Sequence, residues 1–495
     1  MGKSFGFFII GALVAAAGFF VWQNRPATEG PAFSKVNYSA SRLPAEAANT
    51  SEKMRNYILA ISSKNDVDTA IDNITKFASE NPDDDVAQVY AAMVAPLKLA
   101  KGFVYRLRFI VEPVDMLYLG AIQTLRTFKR NADRRGAHID AIFDYLVDPN
   151  PTENVGGQVG PFKSMHAVQD YLTDKFAPLV ETKAATLERI ARKYDTAAPI
   201  FEYDSALLVG LDAAEKMTSQ NFRMRKVMGD HLLLAAANVH RNLGMMKYFA
   251  SYELEQLADF INGLTKETFT ARTSQSALNI LTRVFKVRIQ NPETFRKHLM
   301  RHDKLARLRS GKDQQLKDSR TSFIRGAKLR LEAFDGMEQL AKIANQREYL
   351  VNAKLFVSRP GFTKAILSKR IRLMESNGPT TFNDRVTNEE FQVNIGAIFN
   401  PQNPKIRNLR TLYANSFHNE DSGVKEQEKV SLAGVPGDAS YRWNYEYGSA
   451  KGWPDQSFAG VLPGTSSNDA YQKKLVSLSR DASTRLLQTW LRLFM

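Results

Sequence analysis

The chain has 495 residues, of which 44% are hydrophobic, 24% are charged and none is cysteine. This composition excludes wholesale disorder, and the length is sufficient for more than one domain. The lack of thiols excludes disulfide bonds, thiolate metal sites and a cysteine nucleophile, and it favours an oxidising compartment outside the cytoplasm. A formal net charge of +15 favours acidic partners, which include nucleic acid, anionic lipid, anionic glycan and an acidic protein face.

An uncharged apolar segment over residues 5–22 predicts a membrane-spanning helix near the start of the chain. At about 1.5 Å per residue, the helix nearly crosses a hydrocarbon layer of about 30 Å. A cleaved signal peptide is the alternative, because Ala15–Ala17 offers a cleavage site; the apolar run continues through Val21 and favours an uncleaved anchor. The candidate anchor residues are Phe5, Ile9, Gly11, Leu13, Ala15, Phe19 and Trp22.

The predicted topology is a single pass through a bacterial inner membrane, with the body of the protein in the periplasm. Lys3 precedes the apolar segment and Arg25 follows it, so flanking charge does not decide the orientation. The orientation therefore rests on the missing cysteines. Residues 25–51 contain Pro, Gly, Ser, Thr and Ala with little periodicity, and they predict a flexible tether.

Helical spacing of apolar residues dominates from about residue 52 to 375, so the predicted fold class is mainly α. Apolar residues recur at three- and four-residue steps over 165–194 and over 316–341. Residues 291–293 (Asn-Pro-Glu) predict a helix start, since they supply a capping side chain, a proline and an acid in the right order. The three acids at 83–85 predict another start.

The predicted organisation has six segments along the chain. They are a membrane anchor (1–24), a flexible tether (25–51), N-terminal helical hairpins (52–148), a main helical domain with a basic patch (149–375), a β- and loop-rich segment (376–468) and a C-terminal amphipathic helix (469–495).

Residues 66–99 resemble one tetratricopeptide-type hairpin. Ala70, Ile74 and Pro82 match the spacing of that repeat, and Ala91 and Ala92 follow where small residues let two helices approach. The glycine of the motif is missing and no clear second copy is present, so an ordinary helical hairpin is the alternative. The resemblance implies a helix-pair scaffold that binds proteins.

The C-terminal quarter of the chain has a different pattern, because alternating apolar residues replace the helical period. Phe391, Val393 and Ile395 alternate in this way and predict a strand. A second predicted strand carries an aromatic face, which either packs onto its own domain or forms a platform for a sugar or a peptide. The candidate aromatic residues are Tyr441, Trp443, Tyr445, Tyr447 and Trp453. The closing helix offers a candidate docking surface of Leu486, Leu487, Trp490, Leu491 and Phe494.

Most of the net charge lies in residues 281–330, where 15 Lys and Arg face 4 acids for a difference of +11. A solvated helix face is the first interpretation, and electrostatic contact with an acidic protein, phospholipid or cell-wall polymer is the second. Nucleic acid is disfavoured, because no aromatic residues for base stacking are interleaved. The candidate basic patch comprises Arg283, Lys286, Arg296, Lys297, Arg301, Lys304, Arg307, Arg309, Lys317, Arg320, Arg325 and Lys328.

Chemistry-bearing motifs are scarce, so no catalytic, metal-binding or cofactor residues are predicted. His298 and His302 lie four residues apart, a spacing that suits a metal on a helix, but their cationic surroundings favour a solvated basic face. His231 and His240 are interpreted as isolated histidines. No phosphate loop, nucleophile elbow or zinc-protease motif is present in its required context.

Together these patterns predict a membrane-anchored helical scaffold or interaction subunit of a multi-protein bacterial cell-envelope assembly. Its expected partners are other envelope proteins, in a hetero- or homo-oligomer, with anionic lipid or cell-wall polymer as a further possibility. The first alternative is an envelope enzyme or binding protein that acts on cell-wall glycan. The second is a cytoplasm-facing or organellar membrane protein.

Overall fold

The structure is a computed structural model, and its described residues form two compact units. The described residues of unit 1 fall within Met1–Ser251 and Gln314–Ile371, and those of unit 2 fall within Tyr252–Thr270, Arg283–Asp313 and Arg372–Met495. The described residues are 44–107, 137–147, 162–194, 198–204, 207, 224–257, 259–260, 263, 292–342, 348–358, 363–383, 389–412, 457, 459–465 and 474.

Helices dominate the described residues, which confirms the predicted mainly α character. Among these helices, none has both the length and the hydropathy that a membrane crossing needs. The helices are α1 (Ala45–Leu59), α2 (Lys64–Glu80), α3 (Asp85–Ala100), α4 (Phe103–Arg106), α5 (Ala137–Leu146), α6 (Met165–Asp170), α7 (Ala177–Ala191), α8 (Gly229–Ala250), α9 (Pro292–Arg301), α10 (Asp313–Ala341), α11 (Ala353–Val357), α12 (Lys364–Glu375) and α13 (Pro404–Arg407). A π-helical segment (Tyr171–Phe176) joins α6 to α7, and 3-10 helices cover Ile395–Phe399 and Leu409–Leu412.

Helix α1 begins within the predicted tether, because its side chains have partners in the body of unit 1. Thr50 donates a hydrogen bond from its hydroxyl to Asp84 (2.6 Å), and the Ser51 hydroxyl donates to the carbonyl of Glu202 (2.7 Å). Met54 is fully buried. Burial of this face orders residues whose composition alone predicts little structure, so the predicted tether is wrong from Ala45 onward.

Helices α2 and α3 form the hairpin that carries the tetratricopeptide-like spacing. Asp66 accepts hydrogen bonds from the amides of Ser62 and Ser63 and so fixes the start of α2. Asp84 accepts from the amide of Ala87 (3.0 Å), which places the start of α3 in the acidic run that predicted it. The apolar residues of this hairpin are packed inward, as an amphipathic helix pair requires.

The core of unit 1 lies where α3, α7, α8 and α10 pack together. Helix α8 is buried along most of its length, and α10 presents a narrow face that contains several small residues. Gly326 in α10 lies so close to α8 that an added Cβ would be 2.7 Å from the Ala237 carbonyl oxygen. Small residues here allow close approach of the helix backbones, which a hydrophobic pattern alone does not reveal.

Two short antiparallel hairpins interrupt the helices. In unit 1, β1 (Phe201–Asp204) pairs with β2 (Met224–Val227), a hairpin within the stretch for which the sequence predicts helices throughout. In unit 2, β3 (Thr380–Asn383) pairs with β4 (Glu390–Val393), and Phe382 stacks on Phe391 with ring centroids 5.6 Å apart. Alternation predicts the second hairpin's strand β4 through Val393, whereas Ile395 begins a 3-10 helix.

Unit 2 also contains three chain segments that are distant in sequence and joined by isolated β-bridges. The segment at residues 306–308 lies in the middle, with an antiparallel bridge from Leu308 to Tyr252 on one side and from Arg307 to Asn408 on the other. Backbone hydrogen bonds of 2.7–3.1 Å join the three segments. This small assembly fixes the backbone that follows α9.

Candidate functional site

The predicted basic patch is divided between the two units. Lys297, Arg301, Lys304, Arg307 and Arg309 belong to unit 2, whereas Lys317, Arg320, Arg325 and Lys328 belong to unit 1. Arg296 falls in α9, and Arg283 and Lys286 lie outside the described residues. A single run of basic residues in the sequence is therefore divided in the structure into two sets of residues with different surroundings.

In unit 1, a buried carboxylate is contacted by basic side chains from three helices. Glu188 of α7 is 4% exposed; it accepts from His240 of α8 (2.9 Å) and from Arg325 of α10, and Arg192 lies 3.6 Å away. Arg192 also forms a bidentate ion pair with Glu332 of α10, with N–O distances of 2.7 and 2.8 Å. We call these five residues the interhelix charge cluster.

The electrostatics of Glu188 are those of a satisfied buried anion. Burial alone would raise the pKa of its carboxyl, but the hydrogen bonds from His240 and Arg325 outweigh burial and hold that pKa below its ordinary value. A buried charge is tolerated only where such partners replace water. These contacts therefore link α7, α8 and α10, and they use the hydrogen-bond acceptors of the Glu188 carboxylate.

A second buried carboxylate in unit 1 has the opposite environment. Asp230, in the first turn of α8, is 5% exposed and lies directly against the backbone of Gly336 in α10. Burial, together with the nearby carboxylates of Glu332 and Asp335, raises the pKa of Asp230 to about 6, against the opposing effect of a hydrogen bond from its own amide. This group therefore gains a proton far more readily than an exposed aspartate does.

His231, next to Asp230, is a neutral core residue. It is 1% exposed, and its Nδ1 accepts a hydrogen bond from the amide of Met228 (3.2 Å), which caps the start of α8. Burial lowers the pKa of His231 to about 3, so the ring is uncharged at neutral pH. The interpretation as an isolated histidine fits His231, whereas His240 belongs to the interhelix charge cluster.

Other charged side chains of unit 1 also link helices to one another. Asp68 of α2 accepts from the Tyr145 hydroxyl (2.5 Å) and from Lys101 Nζ (2.5 Å). Asp85 of α3 accepts from Lys193 Nζ (2.9 Å) and from the Tyr194 hydroxyl (3.0 Å). These contacts join segments far apart in sequence and favour a rigid body.

The basic residues of unit 2 are arranged differently, with four exposed cations beside buried apolar and basic side chains. Lys297, Arg301, Lys304 and Arg307 are exposed, and we call them the basic rim. The buried residues between or next to them are His298, Leu299, Leu305 and Arg309, which are at most 9% exposed. Within the residues that the structure describes, the side chains of Lys297, Lys304 and Arg307 form no ion pair.

The backbone of the basic rim is fixed on both sides. The amide of Ala306 donates to the Glu253 carbonyl (2.9 Å), and the Glu253 amide donates to the Arg307 carbonyl (2.7 Å). On the other side, the Leu308 amide donates to the Arg407 carbonyl (2.7 Å). Ala306 has a φ of 61°, a left-handed conformation that a residue with a side chain seldom adopts, so tertiary contacts hold the turn in place.

A buried arginine beneath the rim closes the end of α9. The guanidinium of Arg410 is 8% exposed and donates to the carbonyls of Leu299 (3.3 Å), Met300 (3.0 Å) and Asp303. These carbonyls lie at the helix C-terminus, where unpaired acceptors and the negative end of the helix dipole attract a cation. Burial and the nearby Arg307 lower the pKa of Arg410.

The histidine pair at the end of α9, His298 within the helix and His302 just after it, belongs to this cationic region. His298 is buried, and His302 packs edge-on against Phe260 with centroids 6.0 Å apart. Burial lowers the pKa of His302, and the neighbouring His298, Arg410 and Arg301 lower it further against Asp259. In the part of the chain that the structure covers, no group of three or more His, Asp or Glu side chains could hold a metal ion.

The remaining candidate residues lie outside the described residues. These are the anchor residues between Phe5 and Trp22, the aromatic residues between Tyr441 and Trp453, and the docking residues between Leu486 and Phe494. Their predicted roles stay predictions.

Sequence reasoning missed the residues that organise both charged regions. Arg192 follows Glu188 by four residues, a helix-face spacing that predicts their pairing, but His240 and Arg325 come from other helices. Asp230 and Arg410 carry no local signal, because their surroundings come from residues about 100 positions away. No known protein family, curated protein or solved structure matches the chain.

Proposed function

We propose that this protein is a membrane-anchored helical scaffold of a multi-protein bacterial cell-envelope assembly. The observation that carries the proposal is the interhelix charge cluster, in which buried Glu188 contacts His240 of α8, Arg325 of α10 and Arg192 of its own helix. Such a cluster suits a rigid platform, since each helix is held to its neighbours by directional contacts. A scaffold needs this rigidity to hold partners in fixed relative positions.

The apolar segment at residues 5–22 supports the membrane part of the proposal. The linker from residue 25 to Pro44 precedes α1 and has an extended length of at most about 70 Å, at about 3.5 Å per residue. The helical body would therefore remain close to one membrane surface. Its expected partners are other envelope proteins, and the protein would form a hetero- or homo-oligomer with them.

Mild extraction of the full chain from membranes tests this proposal. The chain is expected in the membrane fraction, and affinity purification in a gentle detergent is expected to recover defined partners in fixed stoichiometry or a closed homo-oligomer. Deletion of residues 1–24 provides the control for anchoring and is expected to move the chain to the soluble fraction. Recovery of the full chain as a monomer from a membrane-free fraction would contradict the proposal.

A further inference from the structure

We propose that the basic rim of unit 2 binds the anionic lipid headgroups of the membrane that holds this protein. The inference rests on the proposed anchoring, and it adds which part of the body meets the lipid. It concerns Lys297, Arg301, Lys304 and Arg307, and it excludes the basic residues of α10.

Availability separates three residues of the rim from Arg325, which belongs to the other half of the predicted basic patch. Arg325 in α10 is bound to the buried Glu188, so its charge is largely compensated within unit 1. The side chains of Lys297, Lys304 and Arg307, by contrast, are exposed and have no ion-pair partner among the described residues. A charged group without a protein partner is the one that can bind an external anion at little structural cost.

The structure also explains why Lys297, Lys304 and Arg307 are not used for contacts within the fold. The carbonyls at the end of α9 would attract one of the rim cations, but Arg410 already occupies them from below. Leu305 is 4% exposed and anchors the loop, and backbone hydrogen bonds on both sides hold Arg307. The exposed cations are thus presented by a fixed backbone, with the buried guanidinium of Arg410 adding positive charge beneath them.

The chemistry of the rim favours a lipid surface over an acidic protein face. Exposed positions from 297 to 311 carry no aromatic or large aliphatic side chain, whereas protein interfaces depend on such residues as anchors. Exposed residues in this stretch are Lys297, Arg301, Asp303, Lys304, Arg307, Ser310 and Gly311. A surface of separate cations with one acid matches the diffuse negative charge of phospholipid headgroups, where each Lys or Arg strengthens binding about fivefold.

The absence of cysteine allows a direct proximity measurement on the full chain. A fluorophore is attached at Ser310→Cys, beside the rim, or at Thr321→Cys, an exposed position on α10. The labelled chain is reconstituted into phosphatidylcholine vesicles, with or without phosphatidylglycerol, that contain a lipid quencher in the headgroup. We expect quenching at position 310 to rise more than about fivefold with phosphatidylglycerol. We expect it to fall as salt increases from about 0.05 M to about 0.5 M, and the label at 321 to be insensitive to both changes.

Charge reversal provides the matched comparison. The triple variant Lys297→Glu, Lys304→Glu and Arg307→Glu is expected to lower the phosphatidylglycerol-dependent quenching at position 310 at least about tenfold. The control triple Lys175→Glu, Lys317→Glu and Lys342→Glu changes the net charge equally at exposed positions of unit 1 and is expected to preserve the quenching. The proposal would be overturned if both triple variants lost the quenching equally. It would also be overturned if quenching at position 310 did not depend on phosphatidylglycerol. So would a rim variant that retains its quenching but releases a co-purifying acidic protein.

Flotation with pure phosphatidylcholine vesicles distinguishes failure of the proposed anchoring from failure of the proposal for the rim. If the chain does not float with these vesicles, the proposed anchoring is wrong, and the rim is then tested by flotation with phosphatidylglycerol vesicles. Binding of the unmodified chain and loss of binding in the rim triple would support the rim in that case. No binding of the unmodified chain to the anionic vesicles would overturn it.

Discussion

Arg325 and Arg307 belong to the same basic run of the sequence, yet their surroundings differ completely. Arg325 contacts a carboxylate buried in unit 1, whereas Arg307 extends from a fixed loop of unit 2 and pairs with no acid among the described residues. The comparison teaches that local charge density does not distinguish a structural cation from one available to a partner. The distinction depends on whether the fold places an acid beside it, and Glu188 lies 137 residues from Arg325.

Removal of the Glu188 charge is expected to have the largest effect on the free energy of unfolding. Glu188→Gln leaves His240, Arg325 and Arg192 around a neutral amide, and breaking a buried pair in this way costs about 3–5 kcal/mol. Arg325 and Arg192 are partly exposed, so the low end of this range is expected. Urea unfolding measures the change.

Glu338→Gln is the matched control, since Glu338 is exposed on α10. Its effect is expected to stay within about 0.5 kcal/mol. Equal midpoints for Glu188→Gln and the unmodified chain would show that the cluster contributes little, and the contrast between the two units would disappear.

Asp230→Asn is expected to stabilise the protein at alkaline pH. Because the folded-state pKa of Asp230 is raised to about 6, its favourable contribution is complete below its ordinary pKa of 3.8 and is lost as pH rises through about 6. The ionised carboxylate then costs up to about 3 kcal/mol at pH 8, and an amide avoids this cost.

Unfolding measured between pH 4 and pH 8 tests the role of Asp230. The unmodified chain is expected to lose stability from pH 4 to pH 8, and the Asp230→Asn variant is expected not to show this loss. The same substitution at exposed Asp72, whose carboxylate pairs with Lys98 at 2.7 Å, serves as the comparison. Parallel pH profiles for Asp230→Asn and the unmodified chain would contradict the assignment.

Gly336→Ala is expected to destabilise unit 1 by about 1–3 kcal/mol, because an added methyl group would overlap the Asp230 carboxylate. In the Asp230→Ala background the same change is expected to cost much less, since the obstructing group is gone. Thermal unfolding of the four proteins of this double-mutant cycle measures the coupling. Additive effects would mean that the close contact between α8 and α10 is unimportant.

Local sequence signals predicted much of the helical framework. The Asp83–Asp85 run and the Asn291–Glu293 triplet mark starts that the structure places at Asp85 and Pro292. The β1–β2 hairpin and the early start of α1 were not predicted, because contacts from distant segments determine them. The same limitation applies to the charged regions, since Glu188 and Arg410 obtain their roles from residues on other elements.

The most direct test of the contrast between the units compares Arg325→Glu with Arg307→Glu in the full chain. Arg325→Glu places a second acid against buried Glu188 and is expected to lower the free energy of unfolding by about 1–3 kcal/mol while preserving lipid quenching at position 310. Arg307→Glu is expected to change unfolding by no more than about 0.5 kcal/mol while reducing phosphatidylglycerol-dependent quenching several-fold. If the two variants had the same effect on both measurements, the two halves of the basic run would not differ in role, and the account would be wrong.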